Sequence, residues 1–258
     1  MHWSDAAIIL SSRKYGENSA VVRVLARDHG VFAGVVRGAN SKTNRGLIQA
    51  GNVVSANWQA RLSQQLGTFK LELLEAHAAH IMQDGTKLSA LTSACLITEI
   101  ALPERHHYPK LFSALHEFMH TLTASDDWQL DYVKYEMSLL AESGFGLDLS
   151  QCAATGRTDD LIYVSPKSGR AVCAQAGEPY KDKMLPLPKF LCHGSWVMGH
   201  GNLTHDSGLM THDRLKETLA GMQLTGYFLE HSLLAPHGKK LPAARARLQN
   251  ILQELNAA

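Results

Sequence analysis

Apolar and polar residues alternate with a period near two over the first 75 positions, and the spacing changes to that of helices after residue 80. Residues 6–14, 19–27 and 30–37 are candidate strands, divided by the turn formers Gly16-Glu17-Asn18 and Asp28-His29-Gly30. A fourth alternates most cleanly. Val54, Ala56, Trp58, Ala60 and Leu62 take one side while Ser55, Asn57, Gln59 and Arg61 take the other, the pattern of a sheet with one wet face. A fifth, residues 67–75, follows a turn containing Ser63-Gln64-Gln65. The polar stretch 38–46, which holds Lys42 and Arg45, is long enough for a mobile loop. Five short strands with the long connection after the third predict a small closed barrel of the OB type, with an SH3-like barrel as the alternative.

Beyond residue 80, positions 88–102 are apolar nearly all round and predict a buried helix stopped by Pro103. Leu111, Phe112, Leu115, Phe118, Met119 and Leu122 form the stripe of a second helix, and Leu130, Val133, Met137 and Leu140 that of a third ended by Gly144. Residues 145–182 read as irregular. Helical spacing returns at Leu215, Leu219 and Met222, and again at Leu248, Ile251, Leu252 and Leu255. The pattern divides the chain into an all-β domain at 1–79 and a mainly α-helical domain at 80–258, the latter carrying an insertion at about 147–182.

Charge sharpens this division. Residues 1–70 hold nine Lys or Arg against three Asp or Glu, a balance of +6, whereas the remaining sixteen bases and twenty-one acids leave 71–258 at −5. A basic module on an acidic body is the composition of a protein with one part facing a polyanion. Arg13, Lys14, Arg23, Arg27, Arg37, Lys42, Arg45 and Arg61 are the candidate phosphate ligands, with Arg23 and Arg27 on one face of their strand by parity and Tyr15 available to stack a base. Trp58, on the apolar parity, reads as core. A second basic cluster comprises Lys239, Lys240, Arg245 and Arg247, with no acid among residues 231–253. It reads first as a wet face beside the last helix, and functionally as a further DNA contact.

Candidate chemistry adds little. His116-Glu117-Phe118-Met119-His120 matches the HExxH of zinc peptidases, but the core stripe of that helix leaves His116, Glu117 and His120 on the wet side, and nothing singles out a third ligand between Glu136 and Glu142. Cys152 and Cys173 each begin a knuckle whose second cysteine is replaced, by Thr155 and Ala176, and two thiolates do not close a structural zinc site. The nearest supplements are Cys192 and His193. Cys95 sits in an apolar run and reads as core. Phosphate-binding glycine loops and the Gly-x-Ser-x-Gly elbow are absent, so a non-catalytic protein without a cofactor is expected. The first seven residues lack a basic stretch followed by an apolar one, and no run approaches the roughly 18 apolar residues of a membrane helix, which predicts a cytoplasmic protein with no membrane partner.

Several segments, in this order, resemble the RecO family of bacterial recombination mediators over essentially the whole chain. They are Ala7-Ile8-Ile9-Leu10, residues 13–19 from Arg13-Lys14-Tyr15 onward, Gly34-Val35-Val36-Arg37-Gly38, Gly51-Asn52, residues 136–146, Cys152, Ser165-Pro166-Lys167-Ser168-Gly169 and Cys173. The resemblance implies an N-terminal OB domain and a helical domain with a zinc-finger-like insertion, here degenerate. It implies binding of single- and double-stranded DNA, annealing of complementary strands and, with RecR, help in loading RecA onto DNA coated by single-stranded DNA-binding protein, hence a place at the nucleoid. It also implies a site for the acidic, Phe-ended tail of that coating protein on the helix at 131–143, with Lys134 as the cation beside Leu130, Val133 and Met137. An RNA-binding OB protein and, more remotely, a zinc peptidase are the alternatives.

Overall fold

The computed structural model describes residues 1–62, 65–192 and 211–257. The turn expected at Ser63-Gln64-Gln65 and the candidate ligand His193 therefore fall partly or wholly outside the described residues. Backbone contacts group the chain into two compact units, Met1–Asp126 and Asp127–Ala258. The boundary read from the sequence at 79/80 lies inside the first.

In the first unit five strands close into a barrel, β1 (His2–Tyr15), β2 (Ser19–Ala26), β3 (Gly30–Arg37), β4 (Val53–Gln59) and β5 (Gly67–Glu75), in the order β1-β2-β3-β5-β4. All neighbours are antiparallel except the short parallel β3–β5 pair, which together with β1–β4 closes the ring. At that closure Gly34 faces Gly67. A Cβ on Gly67 would lie 2.3 Å from the Trp58 indole and one on Gly34 2.6 Å from the Phe69 ring, so the paired glycines make room for the two aromatics that fill this part of the interior. The interior holds Ala7, Ile9, Val22, Val24, Val54, Ala56, Trp58 and Phe69, the apolar parities expected of the strands. Ile8 and Leu10, on the other parity of β1, are buried too, because α3 packs across the outside of that strand. Both faces being covered explains the unbroken Ile8-Ile9-Leu10 run.

Two readings are corrected here. The stretch 38–46 contains helix α1 (Lys42–Leu47), whose N-cap Ser41 accepts the Asn44 N–H at 3.2 Å. Strand β4 ends at Gln59, so Arg61 and Leu62 lie beyond the ladder and Leu62 is exposed.

Helices α2 (His77–Ile81), α3 (Gly85–Ala101) and α4 (Pro109–Ala124) complete the first unit. Asp84 caps α3 through the N–H groups of Thr86 and Lys87, and Leu102 turns extended before Pro103. Residues following α3 pair with β3 through a bridge from Glu104 to Val31.

The second unit contains α5 (Gln129–Glu142), strands β6 (Leu161–Val164) and β7 (Ala171–Cys173), α6 (Ala174–Gly177), β8 (Leu185–Pro186), α7 (Thr211–Phe228) and α8 (Ala243–Ala257). The segment read as irregular thus holds β6 and β7, which β8 just beyond it extends to a three-stranded sheet ordered β7-β6-β8. Helix α7 approaches α5 closely at Gly221, where a Cβ would stand 2.7 Å from Val133. No described helix is long and apolar enough to cross a membrane.

Candidate nucleic-acid interface

A concave surface of about 650 Å³ opens on the barrel, lined by residues of β1, β3, β4 and β5. The antiparallel β4–β5 register sets Asn57 opposite Lys70 and Gln59 opposite Thr68, and Arg37 enters from the end of β3. The edges of Trp58 and Phe69 form its floor beside the partly buried Trp3, which stacks on Trp58 at 6.1 Å and on His29 at 4.5 Å. Arg37 and Lys70 are both exposed, and among the described residues no Asp or Glu lines the surface. Two cations, two amides and hydroxyls over an apolar floor can hold phosphate and sugar without reading sequence.

The expected phosphate ligands divide into two sets. Arg37 lines the groove, and Lys14, Lys42, Arg45 and Arg61 are exposed, as is Tyr15, the expected stacking ring. Arg13, Arg23 and Arg27 are instead held by acids. Arg23 lies 3.5 Å from Glu99 and 3.0 Å from Glu104, and Arg13 lies 3.3 Å from Glu99, whose side chain is 4% exposed. Arg27 sits between Asp5 and Asp28. Arg23, expected as a phosphate ligand, is placed instead against acids: with α3 across the barrel, parity points this arginine at the Glu99 carboxylate. Lys70 is the groove cation not singled out from sequence. Its alternation between the inward-facing Phe69 and the half-buried Leu71 could have revealed it.

In the second unit Lys239, Lys240 and Arg247 are exposed, but Arg245 is not a surface cation. It is 3% exposed, and its guanidinium donates to both carboxylate oxygens of Glu136, at 2.7 and 2.9 Å, and to the Met222 carbonyl at 2.7 Å. The Thr225 hydroxyl also donates to Glu136. Burial opposes the charge on Arg245, but Glu136 outweighs it and holds the pKa above the ordinary arginine value. Glu136 is accordingly no metal ligand.

The tail site expected on α5 is also corrected. Val133 and Met137 are fully buried and Leu130 nearly so, because this stripe belongs to the unit's core, with Val133 against Gly221 of α7. Lys134 is bonded to Asp131 at 3.0 Å.

Cys152 and Cys173, each expected to begin a knuckle, are brought together. Cys152 and Cys173 are buried. The Cys173 N–H donates to the Cys152 sulfur at 3.3 Å, and the Thr155 hydroxyl lies 3.6 Å from the Cys173 sulfur. Burial opposes ionisation of Cys152, but hydrogen bonds from the Thr155 side chain and from the backbone of Cys173, Ala154 and Thr155 bring its thiol down to about 6. Burial and the charge of Glu217 push Cys192 up. Burial also pushes Cys95, fully enclosed in α3, up to about 12.

His116 and His120, one turn apart on α4, keep a partly wet side as expected, but they face Glu75 at the end of β5, together with His77 of α2. Burial opposes the charge of Glu75, yet hydrogen bonds from His116 and His77 hold its carboxyl below the usual range. Burial pushes His77 down.

Known proteins match this architecture in two blocks. The family described as Recombination protein O N terminal covers residues 1–77, and that described as Recombination protein O C terminal covers residues 82–241. The DNA repair protein RecO of Rhodospirillum centenum is 45% identical over 249 residues, which span 96% of this chain and 93% of that protein. That of Bartonella quintana is 42% identical over 98% of both, and that of Rhodospirillum rubrum 38% identical over 100% of this chain and 99% of its own. With the closed barrel, the helical region after it and these full-length matches together, the chain belongs to the RecO family of DNA repair proteins.

Proposed function

We propose that this protein binds single- and double-stranded DNA along its barrel, anneals complementary strands and, with RecR, helps load RecA onto DNA coated by single-stranded DNA-binding protein. The observation that carries the DNA-binding part is the groove with Arg37 and Lys70 at its walls and no acid among its described lining residues. Lys14, Lys42, Arg45 and Arg61 add exposed cations and Tyr15 an exposed ring that can stack a base, and Lys239, Lys240 and Arg247 supply a further contact from the second unit. Annealing is opposed by repulsion between two phosphate chains, and a protein that neutralises both lowers that cost without making or breaking a bond. No catalytic residue or cofactor is needed for it, and a DNA substrate implies a cytoplasmic protein at the nucleoid. RecR, RecA and the coating protein enter from family membership. Recruitment of the coating protein's tail would use a site other than the Leu130, Val133 and Met137 stripe.

An annealing assay with complementary oligonucleotides, bare and coated, tests this reading. Annealing should be faster than the spontaneous rate in both cases, and no acceleration in either would end the proposal. Comparing single-stranded DNA and RNA of one sequence separates the RNA-binding alternative, which predicts tighter binding to RNA.

A further inference from the structure

Four side chains that could hold a metal converge in the first unit. Their sources are the last residue of β5, the first residue of α2 and two positions on α4. His116 Nε2 lies 3.0 and 3.1 Å from the two Glu75 oxygens, His77 Nε2 2.8 Å from Oε2, and His120 Nε2 3.3 Å from the same oxygen. The four ligand atoms all lie within 4.8 Å of one another. The imidazoles meet edge to face, with centroids 4.6 Å apart for His116 and His120 and 4.9 Å for His77 and His120. Among the described residues this is the only such group of three or more His, Cys, Asp or Glu.

We infer that Glu75, His77, His116 and His120 form a zinc site that ties helix α4 to the end of the barrel's last strand. Zinc bonded to nitrogen and oxygen at about 2.0–2.1 Å in a tetrahedron sets neighbouring ligand atoms about 3.3 Å apart. The three shortest His–Glu75 separations, one to each imidazole, are already 2.8 to 3.3 Å. Three imidazoles and one carboxylate suit a borderline divalent ion rather than magnesium or calcium, which prefer all-oxygen shells. The HExxH spacing supplies two of the ligands, as it does in peptidases, but the rest of the site is different in kind. Glu117 is not among the four, and of the carboxylate and third imidazole one completes the three protein ligands usual in a hydrolytic site while the other fills the single position such a zinc leaves to water. A shell closed by four protein ligands makes this a structural site. The ligands come from segments up to 45 residues apart, between His120 and Glu75, so the ion would crosslink elements that are otherwise joined by packing and by these hydrogen bonds.

Full-length protein stripped with chelator and titrated with zinc chloride, by calorimetry and by competition with a chromophoric chelator, tests this. One equivalent should bind, and at a hundredfold excess over Kd the unfolding transition of the barrel-containing unit should rise by roughly 5 °C or more. His116→Ala with His120→Ala should weaken binding by more than about 100-fold. His120→Ala alone, at the most exposed ligand, should weaken it with the fold intact by circular dichroism. Cys152→Ser with Cys173→Ser should leave it unchanged. Absence of equimolar binding by the wild-type chain, or binding that survives the histidine changes and disappears with the cysteine changes, would overturn the inference.

Discussion

The barrel carries cations on two faces and uses them in opposite ways. Under α3, Arg13 and Arg23 meet Glu99, and Arg23 also meets Glu104. Along the groove, Arg37 and Lys70 are exposed and meet no acid among the described residues. Arg23 and Arg37 stand on adjacent paired strands and contribute equally to the charge count. What separates them is whether the next element to pack delivers a carboxylate. A paired arginine holds a helix in place, while an exposed one leaves its field for a polyanion. The second unit shows the limiting case in Arg245, which is buried with its acid.

The first way to sharpen this contrast is to remove a paired cation where water cannot replace it. Arg245→Ala leaves Glu136, which is 0% exposed, without its cation and with only the Thr225 hydroxyl beside it, and should cost about 3–5 kcal/mol of stability. Denaturant unfolding would show it, with DNA binding by the protein that remains folded keeping its salt dependence. Arg23→Ala should follow at about 2 kcal/mol, less because its side chain is 28% exposed and Arg13 still lies beside Glu99. The salt slope of DNA binding should again stay unchanged. A slope that flattens in Arg23→Ala would return this arginine to the groove and erase the distinction between the faces.

The limits of sequence reading follow the same line. Strands β3 and β5 and the inward parity of Trp58 were legible because alternation is local. Residues 61 and 62 kept the parity past the point where β4 stops pairing, and alternation alone does not say where a ladder ends. Arg245 could have been suspected, since it precedes Leu248 by three and Leu252 by seven and so shares their buried stripe, whereas Arg247 does not. Glu136 likewise lies among Val133, Met137 and Leu140. A charge on an apolar stripe announces burial but not its partner, which stands 109 residues away. The histidine cluster is similar: the i, i+4 spacing of His116 and His120 was visible, but Glu75 comes from a strand end 41 residues earlier.

The groove cations provide the converse experiment. Arg37→Ala with Lys70→Ala removes two phosphate contacts and should weaken single-stranded DNA binding by about tenfold near physiological salt, with the log–log salt slope smaller by about 1.4. Stability should move by no more than about 0.5 kcal/mol, because both side chains are exposed. Affinity and slope equal to those of the wild type would show that the concave face is not where the polyanion lies.

The smallest effect concerns cations that are neither paired with an acid nor part of the groove wall. Lys42 and Arg45 ride on α1, a six-residue helix too short to persist by propensity alone. Its first turn depends on the Ser41 hydroxyl accepting the Asn44 N–H, while Asn44 in turn donates to the carbonyls of Arg37 and Gly38. Ser41→Ala should therefore cost about 1 kcal/mol locally. The place to look is amide exchange at Arg45 and Ile48, whose N–H groups bond to the carbonyls of Ser41 and Asn44 at 3.0 Å. Protection there should fall about fivefold while the amides of β2 and β3 keep theirs. DNA affinity should drop by less than in the Arg37 and Lys70 double variant, since fraying disperses two cations without removing them. Unchanged protection would mean that Asn44 alone holds the segment, and that its cations are as fixed in place as those of the barrel wall.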